Sequence, residues 1–383
     1  TRFRNVTGVQ TCALPILKKL DKNLFIRVDE GDIIGMGHLI RCIALATNLK
    51  KHFNIIFIVS EDFPKKLSRN IIDDGYSIIR VNGILDKDHG FQKAKLEDDA
   101  DQCCLIIDSY KESVNWAIID HYGIDESWEN KIRPYVDTII VIDDLANRKH
   151  NCDILIDQNF HQRSTTRYKK LIPKKCKQLL GPKYALLRPE FKNERKKVRI
   201  RRQLRQILIS FGGSDDTNET EKVLKRISIL GSRYKFDVVV GKSNPHKSSV
   251  KQICEKLPST TFHYDVKNMA RMMRRADLSL GGGGISTWER CCMGLPTIVS
   301  ILSEDQSKLI KEIAKKKVVI NLGRAEKLNG LDYTKAIERM NPKKLENISK
   351  KCLRITDGMG VDRVTRKIFQ LEYNRKNHCH KSK

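Results

Sequence analysis

The 383-residue sequence contains no apolar run near the roughly 20 residues that an α-helical membrane span demands, so no such span is expected. Its cysteines number eleven, an odd count, and none stands in a C-x-x-C pair. Neither a zinc cage nor a disulfide framework is indicated, and reduced thiols of a cytoplasmic protein are expected. The tail His378-Cys379-His380 has no second ligand cluster nearby, so no metal is assigned to it. No helix-turn-helix signature, zinc-finger spacing or aromatic strand of the kind that stacks bases accompanies the formal charge of +27, which disfavours nucleic acid as the partner. The charge by itself favours anionic ligands, acidic membrane faces or nucleic acid without choosing among them. A dinucleotide fingerprint would need a third glycine at position 40, where the chain has Ile40, and no acidic residue closes a second strand at the expected distance. Gly241-Lys242-Ser243 ends like a P-loop, yet Phe236 stands where the first glycine is required. No cofactor is therefore expected, and no repeat at a fixed short period is present.

What the chain does have is alternation. From Leu24, apolar runs alternate with helical patterns: Leu24–Val28, a helix from about His38 to Leu49, Ile55–Val59, a helix from Pro64, Ile78–Val81, Leu105–Ile107, Ala117–Ile119, Thr138–Ile142 and Ile154–Ile156. The pattern restarts with Ile207–Phe211, a helix from Glu219, Phe236–Val240, Thr261–Phe262, Leu278–Leu280 and Thr297–Ile301. Unbroken Ile and Val runs between helices predict parallel strands covered on both faces. The fold class is α/β, with two doubly wound, Rossmann-like domains facing each other across a cleft. The expected division is residues 22–191, a basic linker 192–205, residues 206–355, and a closing helix with a basic tail at 356–383. Residues 1–16 share neither the charge nor the periodicity of the rest, and Leu14–Leu17 is too short for a signal-peptide core. They are expected to be a non-native extension.

The chemistry-bearing segments lie where strands end. Four glycines, 281–284, follow an apolar run and open a helix that carries Ser286, Thr287 and Glu289. Glycines let backbone approach an anion, the first helical turn presents N–H groups to it, and Glu289 is placed to accept from a ribose diol. The alternative is a glycine turn with Ser286 or Thr287 as helix cap and Glu289 as capping-box acid. Gly212-Gly213-Ser214 after Phe211 is a second turn able to approach phosphate. After the first strand, Gly35-Met36-Gly37-His38 puts an imidazole at a helix start, as a general base or as a cap. Asp143 and Asp144 are adjacent and cannot flank one bond as a pair. His121 or Tyr122, beyond another strand, is placed to touch a sugar or to pack a loop.

These motifs, taken in order, resemble a known family. They include Ile26-Arg-Val-Asp29, Gly35-x-Gly37-His38-x-x-Arg41-Cys42, Asp120-His-Tyr122, Asp143-Asp144 through His150, Asp157-Gln-Asn159, Leu180-Gly-Pro-Lys-Tyr184, Ser210-Phe-Gly-Gly-Ser-Asp215, Asn268-Met-Ala270 and the glycine loop through Trp288-Glu-Arg290. From about residue 24 to about 310 the chain is similar to the UDP-2,4-diacetamido-2,4,6-trideoxy-β-L-altropyranose hydrolases of pseudaminic acid biosynthesis, a glycosyltransferase-B-like family. Departures are Gly282, Ile285 and Asp305, the last before Gln306 where an Asn-Gln pair is expected. The resemblance implies inverting, metal-independent hydrolysis of a UDP-sugar with His38 as base. It implies sugar contacts from Asp29, Gly37, Arg41, Tyr122, Asn159 and Gln306. UDP is expected at Gly213, Ser214, Asn268, Met269, Gly283, Gly284, Ser286, Thr287 and Glu289. A monomer is expected. A UDP-sugar glycosyltransferase of the same fold is the alternative, with a basic nucleic-acid-binding protein behind it.

Overall fold

In the computed structural model the described residues are 21–29, 36–86, 90–91, 93–162 and 164–381. Residues 1–16 lie outside them. The first unit is a seven-stranded parallel sheet of β1 (Lys22–Val28), β2 (Asn54–Ser60), β3 (Ser77–Val81), β6 (Val114–Asp120), β7 (Thr138–Ile142), β8 (Ile154–Asp157) and β9 (Lys177–Leu180). A small antiparallel pair, β4 (Leu85–Asp86) and β5 (Gly90–Phe91), stands apart from it. The second unit is a six-stranded parallel sheet of β10 (Gln206–Ile209), β11 (Lys235–Val240), β12 (Thr260–Tyr264), β13 (Leu278–Gly282), β14 (Thr297–Ile301) and β15 (Ile320–Arg324).

Alternation within each strand fills both faces. Leu24, Ile26 and Val28 join one core cluster with Ile55, Phe57 and Val59, while Phe25, Ile56 and Ile58 join the other. Period-two side-chain direction makes such a run a wholly buried strand. One segment departs from expectation. Leu105–Ile107 is not a strand but the last turn of the helix Lys93–Asp108. Leu96, Asp99, Ala100, Cys103, Cys104 and Ile107 are buried and recur at helical spacing, whereas Leu105 is 75% exposed. A three-residue apolar run was too short to separate the two periods.

Sheet order then fixes where ligands are received. In the first sheet the order is β3-β2-β1-β6-β7-β8-β9, and in the second β12-β11-β10-β13-β14-β15. Each sheet reverses its winding once, between β1 and β6 and between β10 and β13. Doubly wound sheets bind ligands beyond the carboxyl ends of the strands at that reversal. The helix bearing His38 follows β1, Asp120 ends β6, Gly212–Ser214 follows β10, and the glycine turn follows β13.

The basic stretch at 192–205 is largely structural. Arg201 is fully buried and donates to the carbonyl oxygens of Met273, Arg274 and Ala276 at 3.2, 3.1 and 3.3 Å, closing the end of the helix Met269–Arg275. Arg195 donates to the carbonyl oxygens of Cys292 and Leu353 at 2.5 and 2.7 Å, and Arg199 pairs with Asp277 at 2.6 Å. Further on, the chain returns to the first unit. Val361, Val364 and Ile368 of the helix Gly360–Lys381 are buried in the core formed by Leu24, Ile26 and the helix Met36–Leu49. Where the chain re-crosses, a Cβ on Gly360 would stand 2.1 Å from the carbonyl oxygen of Ala185, so the two crossings touch. Among the described residues no helix is long and apolar enough to cross a membrane.

Candidate functional site

The two carboxyl-end crevices face each other across a cavity of about 560 Å³ lined by both units. That volume is within the range of small-molecule sites. On the first unit's side, His38 is the third residue of the helix Met36–Leu49 and is almost completely buried. Its Nδ1 lies 2.5 Å from Oδ1 of Asp120, the last residue of the neighbouring strand β6. A carboxylate beside Nδ1 takes the N–H there and leaves Nε2 as the ring nitrogen with a lone pair. Tyr122 meets the imidazole edge-on, ring centres 4.5 Å apart.

Asp120 is the hub of this side. Besides His38 it accepts from Arg41 Nε at 2.6 Å, from an Arg41 terminal nitrogen at 2.5 Å and from Cys42 Sγ at 3.4 Å. Burial acts to raise its proton affinity, but the charge of Arg41 and the hydrogen bonds from Arg41 and His38 outweigh this and hold the carboxyl well below its ordinary range. Arg41 also reaches Asp144 at 3.0 Å. Asp144 lines the cavity, whereas Asp143 is buried behind it, accepting from Arg148 at 2.9 Å.

The glycine loop, whose Gly283 and Gly284 are expected at UDP, divides its labour. Gly281 and Gly282 belong to strand β13. A Cβ on Gly281 would stand 2.4 Å from the carbonyl oxygen of Ser210, on Gly282 2.5 Å from Leu302, and on Gly283 2.4 Å from Ile310. These three permit close packing of neighbouring backbone and side chains. Only Gly284 opens onto free space. The Gly283 N–H is already taken by Gln306 Oε1 at 3.0 Å. No side chain caps the helix Ser286–Cys292 that follows. Arg290, a residue that the sequence reading did not assign, is buried beneath the loop and donates to the Gly282 carbonyl, and burial lowers its proton affinity to about 10.

The expected base His38 lines the cavity, as do Gly37, Arg41, Tyr122, Asn159 and Gln306 of the expected sugar contacts. So do Gly213, Ser214, Met269, Gly283, Gly284, Ser286 and Glu289 of the expected UDP side. Asp29, Asn268 and Thr287 are not among the lining residues. Asp29 is spent on the Arg27 guanidinium at 2.8 Å, the Ser60 N–H at 2.6 Å and His121 at 3.3 Å. Burial acts against its ionisation, and Arg27 and His121 prevail, holding it well below the carboxylate range. Asn268 caps its helix by accepting from the Arg271 N–H at 2.8 Å. Thr287 is buried against Arg290 at 3.3 Å. Glu289 lines the cavity but pairs with Arg188 at 3.1 Å, and Asn159 accepts from the Trp288 indole at 3.1 Å.

Sequence reasoning assigned no role to Asp120. The signal was present: His38, Arg41 and Cys42 recur at i, i+3 and i+4, so one helix face carries three donors that need a common acceptor.

Residues 207–357 match the glycosyltransferase family 28 C-terminal domain. The chain is 29% identical over 253 residues, 66% of this chain and 81% of the relative, to the UDP-2,4-diacetamido-2,4,6-trideoxy-beta-L-altropyranose hydrolase of Campylobacter jejuni. It is 26% identical over 346 residues, 88% of this chain and 95% of the other, to the spore coat polysaccharide biosynthesis protein SpsG of Bacillus subtilis. An uncharacterized protein of Methanocaldococcus jannaschii is 28% identical over 305 residues, 76% of this chain, and the match spans 58% of that relative's length. Among solved structures, MurG of Acinetobacter baumannii superposes with a TM-score of 0.63 at 12% identity, covering 91% of this chain and 99% of the other. The fold is the two-unit glycosyltransferase-B architecture, and the resemblance to the altropyranose hydrolases stands.

Proposed function

We propose that this glycosyltransferase-B relative of the altropyranose hydrolases cleaves the anomeric C1–O bond of a UDP-2,4-diacetamido-2,4,6-trideoxy hexose with inversion, releasing UDP and the free sugar. The observation that carries the reading is the His38–Asp120 pair at the edge of a cavity whose opposite wall is the glycine turn. His38, its Nδ1 proton directed at Asp120, takes a proton through Nε2 from water as that water attacks C1. The C1–O bond breaks and its electron pair leaves with the diphosphate. Gly284, Ser286, Gly213 and Ser214 line the wall against which the departing charge grows, beside an uncapped helix start. Glu289, freed from Arg188, accepts from the ribose hydroxyls, and Met269 borders the nucleoside. The reaction in this reading requires no metal, and the protein acts as a cytoplasmic monomer.

A UDP-sugar glycosyltransferase is the second reading, favoured by the family 28 match over residues 207–357. The deciding experiment is UDP release from UDP-2,4-diacetamido-2,4,6-trideoxy-β-L-altropyranose, in EDTA and without an acceptor, by wild type, His38→Ala and His38→Phe. Release that survives EDTA and collapses in both variants, with UDP still bound, supports hydrolysis. Release only when an acceptor is supplied transfers the assignment to a transferase.

A further inference from the structure

We propose that Arg41 is the counter-ion of Asp120 that keeps the His38–Asp120 pair from acting as a bare carboxylate beside an imidazole, and that it is a positioning residue and not a sugar contact. Arg41 lines the cavity, yet it is only 4% exposed and its guanidinium is committed elsewhere. Nε and a terminal nitrogen grip the two oxygens of Asp120 at 2.6 and 2.5 Å, and the other terminal nitrogen holds Asp144 at 3.0 Å. The nitrogen on Asp120 lies 3.1 Å from His38 Nδ1, so imidazole and guanidinium share one carboxylate oxygen.

A lone carboxylate in hydrogen-bond contact with an imidazole stabilises imidazolium, which is useless as a base. A guanidinium on the same carboxylate cancels most of that pull while leaving the hydrogen bond that fixes the ring. Its flat fork suits the task, because it can address both oxygens at once where an ammonium acts as a point charge. Burial opposes the charge on Arg41, but Asp120, followed by Asp144, prevails and keeps the guanidinium protonated. The groups facing His38 are Asp120 from β6, Tyr122 from the loop after it, Arg41 from its own helix and Asp144 from the loop after β7, the last acting through Arg41.

The role as partner of a catalytic base rests on the hydrolysis proposed above; the charge compensation does not. The test follows the His38 ring by NMR in 13C-labelled full-length protein, with His38→Gln assigning the signal, across pH in wild type, Arg41→Gln, Arg41→Lys and Asp144→Asn. The pH profile of UDP release is measured in parallel. In Arg41→Gln the His38 titration rises by about one pH unit and the acidic limb of kcat/KM moves with it, roughly a tenfold loss on that limb. Arg41→Lys returns both most of the way. Asp144→Asn leaves more of the guanidinium's charge to Asp120, and the midpoint stays or falls. An unmoved titration in folded Arg41→Gln, or a rise in Asp144→Asn should Arg41→Gln fail to fold, overturns the inference. A higher KM at every pH with an unmoved ring would return Arg41 to the sugar. If wild type releases no UDP without an acceptor while the titration moves as stated, hydrolysis fails and the counter-ion stands. If wild type hydrolyses and the titration stays, the reverse holds.

Discussion

Trp288 donates its indole N–H to the amide oxygen of Asn159 at 3.1 Å, joining the helix that opens at the glycine turn of the second unit to the strand end of β8 in the first. Trp288 is fully buried while Asn159 is half-buried and lines the cavity, so the bond sits in the cavity wall. Asn159→Asp keeps an acceptor for the indole but removes the amide N–H₂. It is expected to raise KM for the sugar nucleotide with little change in melting temperature. Asn159→Ala, which also leaves the indole N–H unsatisfied, is expected to cost about 1–3 kcal/mol of stability as well. Thermal melts of the two variants beside their KM values separate the tether from the ligand contact.

The glycines of 281–284 are expected to fail in two different ways. Gly281→Ala drives a methyl into the Ser210 carbonyl and Arg290, and Gly283→Ala drives one into Ile310, so both should lower the melting temperature. Gly284→Ala meets nothing within 4 Å and should leave the melt unchanged. Its methyl enters the space assigned to the diphosphate, and UDP affinity is expected to fall by about tenfold, about 1.4 kcal/mol. Calorimetric titration with UDP checks this. Unchanged affinity in Gly284→Ala would move the diphosphate to another part of the wall.

Asp120→Asn keeps the side-chain volume but offers an amide where His38 and Arg41 both need an acceptor. The ring loses the partner that fixes its tautomer, and kcat is expected to drop by about 10²–10⁴ while UDP binding persists. Single-turnover UDP release and equilibrium UDP binding are the paired measurements. A kcat within threefold of wild type would remove Asp120 from the mechanism.

Asp157 supplies a pH dependence of opposite sign to most carboxylates. Burial pushes it up to about 7, against the pull of Arg167 and the Asn159 N–H. The folded chain therefore keeps a proton that the unfolded carboxyl, titrating near about 3.9, has lost. That contribution to stability is complete below the unfolded value and is lost as pH rises toward 7. Chemical denaturation at pH 5 and pH 8 should show wild type weakening across this window relative to Asp157→Asn. Parallel dependences in the two proteins would refute the assignment.

The architecture was legible because each strand is a run of Ile and Val whose alternate members fill opposite cores, and the turn residues at strand ends stand at both reversals of sheet order. Partnerships between side chains were less so. Asp29 follows β1 and spends its carboxylate on Arg27, two residues back, yet a carboxylate just beyond a strand end reads as a ligand contact. Asp120 is separated by about eighty residues from the helix it organises, and only the adjacency of β1 and β6 brings them together. The glycine run overstated its contact with a ligand, because crowding from Ser210, Leu302 and Ile310 is invisible until the sheets are stacked.

The return of the chain to the first unit has a mechanical consequence. A unit joined at one point can swivel about any axis through it, whereas one joined at two separated points can turn only about the line between them. Here the chain crosses twice, but the crossings touch at Ala185 and Gly360, so together they constrain the two sheets little more than a single joint would. Orientation across the cleft is then left to contacts such as the Trp288–Asn159 hydrogen bond at its wall. A side chain placed at position 360 would push the two crossings apart without touching either the imidazole or the glycine turn.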